Sequence, residues 1–235
     1  MLKVSNFKYL LIITCNLCMN LINTQNLDSL SQCPSGLETS VWYMGKNGLN
    51  WNTGNPGVDS GFAILAGEAQ TSTYDRTGKL LFYSANNNIY NANHQLMKNG
   101  NLRPYGGSSS TMNLILNHSD SAHLYYYIYP DQITDQLDTF EKKLRYSLID
   151  MRAEGGTGEV IFKNRILMDT SSERVEGIRH CNGKDWWIIG QNAINERFWV
   201  WKLDNNGIDI INPTIQSSGK INNIDRKFAL IGYLK

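Results

Sequence analysis

The residues here whose types could do chemistry are four histidines, two cysteines outside the amino-terminal apolar stretch, and a scatter of carboxylates. His94, His118, His123 and His180 show no i, i+4 spacing that would set two imidazoles on one helical face for a metal ion, and they read as turn or strand residues. Cys33 and Cys181 either pair as a disulfide in an oxidising compartment or stand apart, Cys33 exposed near the start and Cys181 packed in a strand. No Cys-x-x-Cys follows residue 23, so a structural zinc site has no support. A glycoside-cleaving pair would need two carboxyl groups facing across a channel. Asp59, Glu68, Asp75, Asp131, Asp135, Asp150, Glu173 and Glu176 are available, but most fall in turns or polar loops. Asp75, just before Gly78, reads as a turn residue. The run Gly106-Gly107-Ser108-Ser109-Ser110-Thr111 lacks the lysine of a phosphate-binding loop, and Gly-x-Ser-x-Gly is absent. No catalytic set and no cofactor are expected.

Aromatic residues are the richer resource. Trp42, Tyr43, Tyr125, Tyr126, Tyr127, Trp186, Trp187, Trp199 and Trp201 stand in segments of alternating character, so half of each cluster must face a core. Outward-facing rings can stack on sugar rings or peptide side chains. Trp51 and Tyr105, in loop-like surroundings, are the residues expected to make surface contacts with a ligand.

The elements that would position these residues repeat. A polar lead, a strand, a turn and an aromatic strand occur as residues 69–84, with the strand Leu80-Leu81-Phe82-Tyr83-Ser84. They return as residues 108–129, ending in Leu124-Tyr125-Tyr126-Tyr127-Ile128-Tyr129, and as residues 176–190, ending in Trp186-Trp187-Ile188-Ile189-Gly190. Two further strands follow each: 88–91 and 95–97, then 144–150 and 159–162, then 198–203 and 208–211. Asp75-Arg76-Thr77-Gly78, Gly155-Gly156-Thr157-Gly158 and Asp204-Asn205-Asn206-Gly207 supply residues that tolerate the positive φ of tight hairpins. Four strands recurring about every 45 to 60 residues is the organisation of propeller blades. The fold expected is all-β: a partial β-propeller of about three four-stranded blades plus an opening strand, Phe228-Ala229-Leu230-Ile231-Gly232-Tyr233-Leu234. One helical turn is expected within a loop at residues 136–143. Three blades and a strand fall short of a closed ring, so the chain is expected to be part of a longer protein rather than to close with another copy.

Of the 235 residues, 22 Lys and Arg oppose 21 Asp and Glu, and the net charge of +1 gives no attraction for nucleic acid or anionic membrane. Lys3 and Lys8 precede the apolar stretch 9–22, interrupted by Asn16 and Asn20, which is the pattern of a secretory signal peptide. It is shorter than the roughly 20 apolar residues of a membrane span. Ile12-Ile13-Thr14-Cys15 has Thr14 where a lipoprotein cleavage box wants a smaller residue, so lipidation at Cys15 is not expected. The organisation read is a signal peptide at 1–23, a linker at 24–37 and the repeat domain at 38–235.

The stretch Val41-Trp42-Tyr43-Met44-Gly45-Lys46-Asn47-Gly48-Leu49-Asn50-Trp51 resembles the "W-Y-F-G-x-x-A-G-L-D-F" opening of propeller-like amino-terminal regions in large secreted proteins of Bacteroidetes. Gly78-Lys79-Leu80-Leu81-Phe82-Tyr83-Ser84, residues 91–100, residues 107–111, residues 144–151 and residues 179–187 are similar to the same template in order. In that family such regions commonly lead into PKD-type modules and a type IX secretion signal. The resemblance implies a repeat-propeller fold and an exported or cell-surface location, and no known activity. The family's "S-P-D-G" turn and sorting domain have no counterpart here, which puts type IX export of this chain in doubt. The function expected is a non-catalytic secreted or cell-surface binding or scaffold module, with a protein or glycan as partner. The alternatives are a glycan-active enzyme using propeller carboxylates and a truncated remnant without independent function.

Overall fold

The computed structural model describes residues 41–44, 47–51, 54–59, 70–85, 88–102, 113–134 and 140–217. Among them the chain is all-β: sixteen strands, with one short 3-10 turn at Glu154–Gly156 and no longer helix. The strands fall into four antiparallel sets in chain order. The first holds β1 (Val41–Met44), β2 (Asn47–Asn50) and β3 (Gly57–Asp59). The second is the meander β4 (Thr71–Tyr74), β5 (Leu80–Ala85), β6 (Asn88–Asn91) and β7 (Leu96–Asn101). The third is β8 (Leu114–His118), β9 (Ser121–Thr134), β10 (Phe140–Asp150) and β11 (Glu159–Met168). The fourth is β12 (Ser171–Arg179), β13 (Trp186–Asn192), β14 (Phe198–Asp204) and β15 (Gly207–Ile208), with β16 (Thr214–Gln216) also pairing with β14.

A single parallel pair, Lys98 with Glu159, joins β7 to β11, so the second and third sets form one eight-stranded sheet in the order β4-β5-β6-β7-β11-β10-β9-β8. That sheet folds back on itself, because its two edge strands β4 and β8 lie against each other. The same neighbour relation runs through the molecule: β1 lies beside β4, β4 beside β8, and β8 beside β12.

Residue alternation explains the packing. Successive side chains of a strand point to opposite faces, so the aromatic run of β9 serves two cores at once. Tyr127 and Tyr129 join Phe82, Ile89, Met97, Ile149 and Val160 between the second and third sets. Tyr126 and Ile128 join Leu144, Val175, Ile188, Trp201 and Leu203 between the third and fourth. Tyr127 and Tyr129 stack with ring centroids 4.9 Å apart, and Phe82 meets Tyr125 edge to face at 5.4 Å. Each fully buried large apolar side chain in these clusters contributes about 1.5–3 kcal/mol.

Residues 140–143 belong to β10, paired with residues 131–134 of β9, so the helical turn expected at 136–143 does not form over that part. Cross-strand pairing extended both strands past the point where local pattern ended them. The stretch from Val41 to Trp51, singled out in the sequence only for its resemblance to a family opening, supplies β1 and β2 of the three-stranded first set. The opening strand expected at 228–234 lies outside the described residues.

Candidate functional site

Each meander closes its first hairpin with an acceptor side chain at the end of its first strand. Asp75 Oδ1 accepts the Thr77 and Lys79 amides at 2.8 and 3.0 Å. His118 Nδ1 accepts the Asp120 amide at 3.2 Å, and His180 Nδ1 the Asn182 amide at 3.1 Å. The third hairpin of each of these sets repeats the device, with Asn91 accepting from Asn93 at 3.0 Å, Asp150 from Arg152 at 2.9 Å, and Asp204 from Asn206 at 2.8 Å. These are Asx-type turns, in which a short side chain replaces a backbone acceptor. Two of the four histidines are therefore turn-closing groups, as their sequence setting suggested. His94 sits in the β6–β7 turn at φ 62°, its ring 5.8 Å from that of Tyr83, and the His123 carbonyl accepts the Met151 amide at 2.9 Å.

Between the third and fourth sets lies a group of aromatic and charged side chains from β12, β13, β14 and the turn after β12, with Asn117 of β8 beside them. The Arg179 guanidinium lies over the Trp186 ring, 3.6 Å from its centroid. It donates to the Lys184 carbonyl at 3.0 Å and to Asn117 Oδ1 at 3.3 Å, while Trp186 Nε1 donates to the Asn117 carbonyl at 3.1 Å. Arg179 and Trp186 are a cross-strand pair of β12 and β13, which is why the two side chains meet. Burial lowers the Arg179 pKa from its ordinary value. Next to them Lys202 Nζ stands 3.0 Å from Asp185 Oδ2, and Asn182 Nδ2 donates to the same oxygen at 2.8 Å. With Lys202 first, then Asn182 and Ser119, these partners hold the Asp185 carboxyl down at about 2.

Cys181 is exposed on the turn after β12, not packed in a strand, with Sγ 3.7 Å from His180 Nδ1. A thiol–imidazole couple needs a free ring lone pair to take the proton. Here that nitrogen already accepts the Asn182 amide, so the contact is not an activated nucleophile. Cys33 lies outside the described residues, so nothing bears on its pairing with Cys181.

Two further carboxylates, those of Asp131 and Glu176, serve structure. Asp131 is fully buried and bonded to Arg145 Nε. Arg145 Nη1 donates to the Asn164 carbonyl at 2.8 Å, and Tyr129 donates to Asn164 Oδ1 at 2.5 Å. Asn164, at φ 63°, lies where the β10–β11 register slips between Tyr146 and Leu148, a bulge that turns its carbonyl toward the arginine. Glu176 Oε1 accepts the Gly177 amide at 3.1 Å, and Glu173 is half-buried on β12. Asp59 ends β3, while Glu68 and Asp135 lie outside the described residues. Among the described residues no group of three or more His, Cys, Asp or Glu could hold a metal ion.

Trp51, an expected ligand contact, follows β2 half-buried, its carbonyl accepting the Gly54 amide at 2.9 Å. Tyr105 lies outside the described residues, as does the 106–111 loop. Arg179 and Trp186 were missed from sequence as a unit, although the alternation of β12 and β13 puts them on one face once the register is known. No helix among the described residues is long and apolar enough to cross a membrane. No protein-family model, curated protein or solved structure matches the chain.

Proposed function

We propose that this chain is an exported β-propeller-like module that binds a partner instead of transforming it, of the kind found in the amino-terminal regions of large secreted Bacteroidetes proteins. The observation that carries the reading is the side-by-side succession of β1, β4, β8 and β12, the first strands of the four sets. Propeller blades place their first strands together around a common axis in this way, and the second, third and fourth sets are taken as blades. The described carboxylates add support, since those traced above serve turns and ion pairs. On such scaffolds the connecting segments carry recognition.

The partner is a protein or a glycan. Trp51, Tyr105 and the Arg179–Trp186 pair supply ring faces and a cation suited to either. The near-neutral charge disfavours nucleic acid. Residues 1–23 act as the export leader, delivering the domain to the outside or the cell surface.

Glycan and peptide arrays, run beside a panel of glycosidase substrates, test the reading. Binding without turnover, weakened by Trp186→Ala or Tyr105→Ala, is the expected outcome. Turnover that disappears in Glu176→Gln or Glu173→Gln would replace it with the enzyme reading.

A further inference from the structure

The stacked sets do not end alike. In the second and third sets the aromatic strands are buried on both faces: Phe82 and Tyr83 on β5, and Tyr127, Ile128 and Tyr129 on β9, are all 0% exposed. The fourth set buries only its near face, with Ile188, Trp201 and Leu203 at 0%. Its far face carries Ile178, Trp187, Ile189 and Val200, with Glu176 and Lys202 beside them. The register sets Ile178 opposite Trp187 and Ile189 opposite Val200, so the four share one side of β12, β13 and β14. Ile178 stays 41% exposed and the other three are half-buried.

We propose that this face is the docking surface for residues 228–234 of the same chain, laid across β12 as β12 is laid across β8. The inference rests on the observed stacking and does not depend on what the molecule binds. Three features select this occupant. The first is the neighbour rule: each set's first strand lies against the first strand of the set before it, and β12 has no such follower among the described residues.

The second is spacing around a glycine. Gly177 lets β12 approach β8, since a Cβ there would stand 2.7 Å from Leu114 Cδ1 and 3.0 Å from Leu116 Cδ2. Val175-Glu176-Gly177-Ile178-Arg179 has its counterpart in Leu230-Ile231-Gly232-Tyr233-Leu234, with a large apolar residue two before the glycine and another side chain of the same face two after. Gly232 then takes the close-approach position.

The third is reach. Residues 217–227, polar but for Ile221 and Ile224, connect β16 to the segment, a link nearly as long as residues 102–113 between β7 and β8. From β16 the chain must cross β14 and β13 to reach β12, three strand spacings or about 15 Å. Residues 217–227 extend to roughly 36 Å. The link is long enough with slack for a turn.

Hydrogen exchange read by mass spectrometry decides the matter on the full chain, a deletion of residues 218–235, and the full-length Gly232→Glu variant, with sedimentation of each. The expected result is a monomeric full chain in which residues 171–192 exchange about tenfold more slowly than in the deletion. Gly232→Glu should reproduce that loss while β5, β9 and β10 keep their protection. A synthetic peptide of residues 222–235 should restore it to the deletion. Unchanged exchange at 171–192 in both variants would overturn the proposal. So would a dimeric full chain split by Ile178→Asp, which would make a second copy the occupant. If the deletion fails to fold, Gly232→Glu in the full chain still gives either answer.

Discussion

At the scale of single residues, Asp131, Arg145 and Asp185 are spent on structure. Asp131 and Arg145 are sealed between strands, with side chains 0% and 6% exposed. Bringing two charges out of water is costly, and only mutual attraction and further hydrogen bonds offset it. Removing one partner therefore costs more than the pair contributes. Asp131→Ala should destabilise the chain by about 3–5 kcal/mol in urea unfolding, and Asp131→Ala with Arg145→Met should recover part of the loss. The outer group behaves differently. Asp185 is held at about 2, against an ordinary 3.8, by the Lys202 ammonium and by hydrogen bonds from Asn182 and Ser119. A depressed carboxyl contributes stability that is complete above its unfolded value and is lost as pH falls through the folded one. Thermal melts of the wild type should weaken between pH 4 and pH 2, and Asp185→Asn should weaken less over that window while being less stable at neutral pH.

At the scale of elements, one backbone pair joins β7 to β11, and side chains do the rest. Lys163 Nζ on β11 donates to the Asn99 carbonyl at 3.1 Å, the Asn101 carbonyl at 2.7 Å and Asn101 Oδ1 at 2.9 Å. Asn99 Nδ2 returns a bond to Glu159 Oε1 at 3.1 Å, and Lys98 Nζ reaches Glu154 Oε1 at 2.5 Å. An ammonium has three donors and no acceptor, so it fits these three oxygens at the end of β7. Lys163→Met keeps the side chain's bulk and removes those donors. The expected cost is about 1 kcal/mol, reduced by the partial exposure of the charge, or roughly 2–4 °C in melting temperature. Faster amide exchange should appear in β7 and β11, with β13 and β14 unaffected.

At the scale of the whole molecule, the two larger cores lie between sets. Trp201 on β14 is fully buried and shares a cluster with Tyr126 and Ile128 on β9 and Leu144 on β10. Because that cluster spans two sets, neither can lose it alone. Trp201→Ala should cost about 3–5 kcal/mol, and fluorescence and far-UV circular dichroism should still report one coincident transition. Separate transitions from the two probes would mean that the sets melt independently.

Local pattern by itself determined the all-β class and the order of strands within the second, third and fourth sets. Alternation and turn residues are written into adjacent positions, as in the run through Tyr125 and Tyr129 or the turn at Asp75 and Gly78. The turn roles of His118 and His180 followed from the same neighbourhood. Only the tertiary structure decided what depends on register and on contacts far apart in sequence. The extension of β9 and β10 to Thr134 and Phe140 needed cross-strand pairing that a one-dimensional pattern does not contain. Asp131 finds Arg145 because the two strands pair in a set register, and Arg145 finds the Asn164 carbonyl because a bulge turns it inward. Arg179 finds Trp186 for the same kind of reason, and Asn117 from another set completes that group. Side-chain type is a property of the chain, whereas which side chains meet is a property of the register, and the candidate site consists of such meetings.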